Sequence, residues 1–212
     1  MVTLYVADIS KLPDPKDEPQ LLAGLSQDRV RKIQKLEKEL TRRQSMGAGL
    51  LVNKVLKRYG IKIDAMYLSI HGKPEIDNFY FNLSHSGDLV VCAVADSPVG
   101  CDVEQIKVAP ERVAEHFFCE NEKKYLRQFE GKYYDEAFFR IWTLKESYTK
   151  MTGEGMVLSR GNYELMLNEQ VRVLREGKMQ DCHFAEYEIN GYQIAVCSGD
   201  SKFSAPIWEN IE

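Results

Sequence analysis

Two stretches constrain this chain more than any others, Val99-Gly100-Cys101-Asp102-Val103-Glu104 and Trp142-Thr143-Leu144-Lys145-Glu146-Ser147-Tyr148-Thr149-Lys150. On an extended strand, residues two apart share a face, so Asp102 and Glu104 leave one side while Cys101 and Val103 enter the core. Phe138, Ile141, Leu144, Tyr148 and Met151 recur at helical spacing and predict a long helix with a buried face. Phe139, Trp142, Glu146 and Lys150 form a second line along that helix, with Glu146 and Lys150 one turn apart. Taken singly, the pieces read as a solvated strand edge and a surface ion pair. Aromatic residues interleaved with the charges argue against open solvent. Brought together, Asp102, Glu104 and Glu146 would hold Mg²⁺ with Lys150 beside it, a phosphate-handling site.

A chain of 212 residues, 44% hydrophobic and 28% charged, is long enough for one large domain or two smaller ones. A net charge of -4 implies no general affinity for nucleic acid or anionic membrane. The basic helix Arg29 to Lys38 lacks the interleaved aromatics of a nucleic-acid surface. No apolar run is long enough to span a membrane and no basic-then-apolar leader opens the sequence, so the expectation is a cytoplasmic protein. Five cysteines without metal-type spacing suit a reducing compartment, with Cys92, Cys101 and Cys197 as small core residues.

In chain order, Thr3 to Ala7 reads as a strand. Ser26 caps a basic helix reaching Lys38, and Thr41-Arg42-Arg43-Gln44 has a capping-box pattern that starts a second helix at Arg42. Arg43 would then lie in a helical first turn, which favours a phosphate there. Tyr80–Leu83 and Leu89–Val94 read as hairpin strands joined by a polar tip, Ser84-His85-Ser86-Gly87-Asp88. Pro110 opens a short helix, Asn121 caps another, Asp135 starts the long one and Gly153-Glu154-Gly155 ends it. Four antiparallel strands follow. Val91-Cys92 and Val196-Cys197 echo each other at nearly half the chain length, which suggests duplicated halves with a site between them.

These motifs, with Asn82-Leu83-Ser84-His85-Ser86-Gly87 and Gly72-Lys73-Pro74 in the same order, resemble those of the 4'-phosphopantetheinyl transferases of the larger, surfactin-synthetase-activating (Sfp-like) type. The resemblance implies an α+β fold of two pseudo-duplicated halves, 1–101 and 102–212, related by a pseudo-two-fold, each with helices on a small antiparallel sheet and the active site between them. It implies transfer of phosphopantetheine from coenzyme A to a serine of an apo acyl carrier protein or peptidyl carrier domain, releasing adenosine 3',5'-bisphosphate. Matched residue by residue, Asp102, Glu104 and Glu146 would bind Mg²⁺, and Lys150 would contact the pyrophosphate. Arg29, Lys32, Arg43, Lys73, Ser84 and His85 would line the coenzyme A site. Glu122 matches a further acidic residue near the metal. Arg29 and Gln44 stand where relatives carry a lysine and a small hydroxyl residue, and Cys101 replaces an aliphatic one.

Glu146 is the candidate base for the serine proton, directly or through a water. The stretch Val108 to Tyr134, with Phe117, Phe118, Tyr125, Arg127 and Lys123 or Lys124, is the candidate carrier-docking surface. Two fused halves make a monomer sufficient. A non-catalytic coenzyme A or carrier-binding module would not need three carboxylates. A Mg²⁺-dependent phosphohydrolase would use water in place of the serine.

Overall fold

The computed structural model describes residues 1–70, 72–154 and 163–211. It has twelve strands and five α-helices among them, in an α+β arrangement. The first half comprises β1 (Thr3–Asp8), α1 (Gln27–Lys35), α2 (Glu39–Arg58), the short β2 (Tyr67–Leu68) and β3 (Pro74–Glu75), β4 (Tyr80–Ser86) and β5 (Leu89–Ala95). Then come β6 (Val99–Gln105), α3 (Glu111–Phe117), α4 (Glu120–Leu126), α5 (Lys132–Thr152), β7 (Tyr163–Leu167), β8 (Val171–Arg175), β9 (Lys178–Met179), β10 (His183–Ile189) and β11 (Tyr192–Ser198). A last strand, β12 (Ile207–Trp208), returns to the first sheet.

Two sheets carry the architecture, ordered β12-β1-β5-β4 and β10-β11-β6. Leaving β12 aside, the first runs β1-β5-β4 and the second β6-β11-β10, all antiparallel, so the echo at Cys92 and Cys197 marks corresponding central strands. Strand alternation sets the layers. Tyr5, Ala7 and Ile9 face α2, whereas Leu4 and Val6 turn to a middle core with Val91, Ala93, Cys101, Val103, Ile194 and Val196. Ala195 and Cys197 face the other way, onto Phe138, Ile141, Leu144 and Tyr148 of α5. Each such large apolar side chain removed from water contributes about 1.5–3 kcal/mol.

Gly100 lets α5 lie directly on β6. A Cβ there would overlap the Ser147 carbonyl and the backbone of Lys150 and Met151. That approach puts Glu146 and Lys150 over the carboxylate face of β6.

Several boundaries differ from the sequence expectation. α1 stops at Lys35, and α2 begins at Glu39 with Lys38 as an uncapped N-cap. The Thr41 hydroxyl donates back to the Lys38 carbonyl (2.7 Å) from inside the helix rather than capping it. α4 is capped at Cys119, not Asn121, and α5 starts at Lys132 after Gly131 rather than at Asp135. Of the residues expected to end α5, Gly153 is its left-handed C-cap and Gly155 lies outside the described residues. The polar hairpin tip is shorter than expected, because β4 runs through Ser86 and only Gly87 and Asp88 turn. β6 runs unbroken across 101/102. No helix among the described residues is long and apolar enough to cross a membrane.

Candidate active site

The extension of β4 decides where its polar residues go. Successive side chains alternate, so Phe81 and Leu83 pack on the α2 side while Asn82, Ser84 and Ser86 turn to β6. Here β4 meets β6 through side chains. Asn82 Oδ1 accepts from the Cys101 amide (2.9 Å), Ser84 donates to Asp102 Oδ1 (2.8 Å) and Ser86 donates to Glu104 Oε2 (2.7 Å). Cys101 is fully buried, and burial pushes its thiol up to about 12, so it serves as the core residue expected of it.

Leu83, Ser84, His85, Asp102, Glu104, Trp142, Glu146 and Lys150 line one cavity of about 310 Å³. The three expected carboxylates and Lys150 therefore do come together. The Lys150 ammonium donates to Asp102 Oδ1 (2.6 Å), Ser84 Oγ (3.0 Å) and the Cys101 carbonyl (3.2 Å). Burial disfavours that ammonium, but Asp102 and Glu146 more than offset it and its pKa is raised. Burial, then the charge of Asp102, raises the pKa of both Glu104 and Glu146. Asp102 is 4% exposed, and its Oδ2 is buried with no hydrogen-bond partner among the described residues. Such an oxygen is costly unless something positive meets it.

A second cavity of about 280 Å³ shares Leu83 and His85 with the first and adds Arg29, Lys32, Gly72 and Pro74. Burial, followed by the charges of Lys150, Lys32 and Arg29, lowers the pKa of His85. Burial likewise lowers those of Arg29 and Lys32. This basic wall asks for an anion. Lys73 lines a neighbouring cavity of about 330 Å³ with Tyr67, Phe79 and Met151, and its ammonium donates to the Lys150 carbonyl (3.0 Å).

Two expected site residues are elsewhere. Arg43 lies in the second turn of α2, not the first, so the helix-terminus argument for a phosphate there fails; it donates to the Ser10 carbonyl (3.2 Å) and faces Glu39. Its neighbour Gln44 does reach the hairpin, donating to the Gly87 carbonyl (2.9 Å). Glu122, 0% exposed, is turned away from the cavity. It accepts from Lys145 (3.0 Å) and from the amides of Leu165 and Cys119 (both 2.9 Å). Sequence reasoning also missed Trp142 as a cavity wall and Ser86 as the partner of Glu104. Trp142 stood on the charged helical line, and that was its available signal.

The three carboxylates offer only oxygen ligands, which suits a hard divalent cation, and the orphaned Asp102 Oδ2 supports that fit. In the present arrangement Lys150 occupies the space beside Asp102. Among the described residues no three His, Cys, Asp or Glu side chains converge closely enough to hold an ion as they stand.

Comparison with known proteins gives the same direction. Residues 98–197 match the model of the 4'-phosphopantetheinyl transferase superfamily. A 4'-phosphopantetheinyl transferase from Bacillus pumilus, psf-1, is 33% identical over 165 residues, 74% of this chain and 71% of its own. The chain belongs to the 4'-phosphopantetheinyl transferase superfamily. Two further transferases bracket that relation. The gsp protein of Aneurinibacillus migulanus is 37% identical over 131 residues, 60% of this chain and 55% of its own, and Sfp of Bacillus subtilis is 26% identical over 201 residues, 91% and 90%. The family moves phosphopantetheine from coenzyme A to carrier proteins. The β6 carboxylates and the α5 motif of this transferase family member both fall inside the matched segment, whereas Arg29, Lys32 and His85 precede it.

Proposed function

We propose that this protein is a Mg²⁺-dependent 4'-phosphopantetheinyl transferase that loads an apo acyl carrier protein or peptidyl carrier domain, acting as a cytoplasmic monomer without nucleic acid or membrane. The observation that carries the reading is the buried, partnerless Asp102 Oδ2 in a cavity that shares His85 and Leu83 with a basic one. Asp102, Glu104 and Glu146 would hold the ion, which when bound supplies charge neutralisation at a pyrophosphate. Arg29 and Lys32 bind the phosphate-rich end of coenzyme A. His85, with Ser84, orients the pyrophosphate at the join, and Lys73 steadies the Lys150 turn.

Lys150 stabilises charge on the departing adenosine bisphosphate. Glu146, on the cavity wall one helical turn from Lys150, takes the proton of the carrier serine. Trp142 walls the cavity and keeps water from the attacked phosphorus. Carrier docking falls to Val108 to Tyr134, where Val108 is exposed; Phe118, buried at 5%, belongs to the core instead. Because β6 spans 101/102 and pairs with β11, it supports a division of the halves at residues 96–98 in place of 1–101 and 102–212.

The test is the intact mass of an apo acyl carrier protein and an apo peptidyl carrier domain incubated with this protein, coenzyme A and Mg²⁺. A gain of one phosphopantetheine unit, abolished by chelator and by Asp102→Ala, supports the proposal. Coenzyme A cleavage at equal rate with and without carrier would replace it with a phosphohydrolase.

A further inference from the structure

Each β6 carboxylate has one oxygen already taken, and the taking group comes from β4. The Ser86 hydroxyl accepts from the Gln105 amide (3.1 Å), which directs its own proton to Glu104 Oε2 (2.7 Å). In parallel, Ser84 accepts from the Lys150 ammonium (3.0 Å) and gives its proton to Asp102 Oδ1 (2.8 Å). Asp102 Oδ2 is left without a partner, and Glu104 Oε1 receives no hydrogen bond among the described residues. One oxygen per carboxylate is therefore available to an ion. Small cations of octahedral preference accept single oxygens and keep waters, whereas Ca²⁺ commonly takes both oxygens of a carboxylate and more ligands in all.

We propose that Ser86 is a positioning residue for ion choice: by holding Glu104 Oε2 it enforces one-oxygen ligation and so selects Mg²⁺ over Ca²⁺. This rests on the metal site proposed above. Ser86 is half-buried on β4 opposite Leu89, a position where the loss of a hydroxyl leaves the backbone pairing intact. The change reaches the Gln105 amide, which loses its acceptor, and the Glu104 side chain, which becomes free to turn both oxygens to an ion.

Calorimetric titration of Mg²⁺ and, separately, Ca²⁺ into the full chain with saturating coenzyme A reads the ratio of the two affinities without turnover. Ser86→Ala should lower the Mg²⁺:Ca²⁺ affinity ratio by about tenfold, the usual scale for removing a partner of a metal ligand. Ser86→Thr, which restores the hydroxyl on a strand-favouring side chain, should restore the ratio. If Ser86→Ala fails to fold, Ser86→Cys, with its weaker donor, must show the same fall. A wild type that binds no Mg²⁺ would overturn the metal site itself. A wild type that binds it, with the ratio unchanged in the alanine or cysteine variant or both ions weakened equally, would overturn the role of Ser86 alone.

Discussion

The two halves share a strand order and differ in how the long helix is brought onto its sheet. In the first, the small residue is on the helix: a Cβ on Gly47 of α2 would overlap Cγ2 of Ile9, at the end of β1. In the second it is on the strand, where a Cβ on Gly100 would meet the backbone of α5 itself. The pins differ too. α2 is held at its first turn by Arg42, which pairs with Asp14 and donates to the Leu36 (3.1 Å) and Glu37 (2.5 Å) carbonyls. α5 is held in its middle by Lys145, paired with fully buried Glu122 and lying 4.3 Å over the Tyr163 ring. α2 is a helix pinned again at its last turns, where Lys54 and Arg58 meet Glu209, and it reaches the basic cavity only through Ala48. One pinned beside Glu146 holds its chemistry still.

The largest test of that contrast is Lys145→Met, which strands a buried carboxylate and should cost about 3–5 kcal/mol in urea unfolding. Adding Glu122→Gln should recover much of the loss; a double variant as unstable as the single would mean the pair does not act as a unit. Gly100→Ala comes next, at about 3 kcal/mol of overpacking against rigid backbone, with Mg²⁺ and coenzyme A binding weakened together as α5 is pushed off β6. Unimpaired binding in that variant would show that the close approach does not place the site.

Acidification should separate the halves by sign. His85 has a lowered pKa and is neutral at pH 7, so binding of adenosine 3',5'-bisphosphate in chelator should strengthen as pH falls below the usual 6.5. Glu104 and Glu146 have raised values, so protons compete with Mg²⁺ from above the ordinary 4.5, and its affinity should weaken as pH falls, by at most about tenfold per unit for each proton displaced. His85→Gln should flatten only the first profile. Smallest is Gly47→Ala: helix propensity returns about 1 kcal/mol against about 1–3 kcal/mol of overpacking on buried Ile9, so the melting midpoint should fall by a few degrees at most.

Much of this was legible because it is local. Alternation on β6 and helical spacing on α5 put Asp102, Glu104, Glu146 and Lys150 together. What escaped depends on partners distant in sequence or on groups that imitate a signal. Thr41 with Gln44 imitates a capping box, yet α2 starts three residues earlier because Arg42 reaches back to satisfy the carbonyls of the preceding turn. That displaced Arg43 from the helix end. Glu122 looks like any first-turn acid, and only the fold shows that Lys145 stands beside it. Ser86 reads as turn chemistry until β4 is seen to continue through it.

β12 joins the sheet of the first half, pairing parallel with β1 at Tyr5 and Val6, and Glu209 just beyond it meets Lys54 and Arg58 of α2. A ribosome delivers that strand only after every element of the second half. The sheet begun first is thus finished last, and a nascent first half must wait with the outer edge of β1 unpaired while α5 and its sheet are still being made.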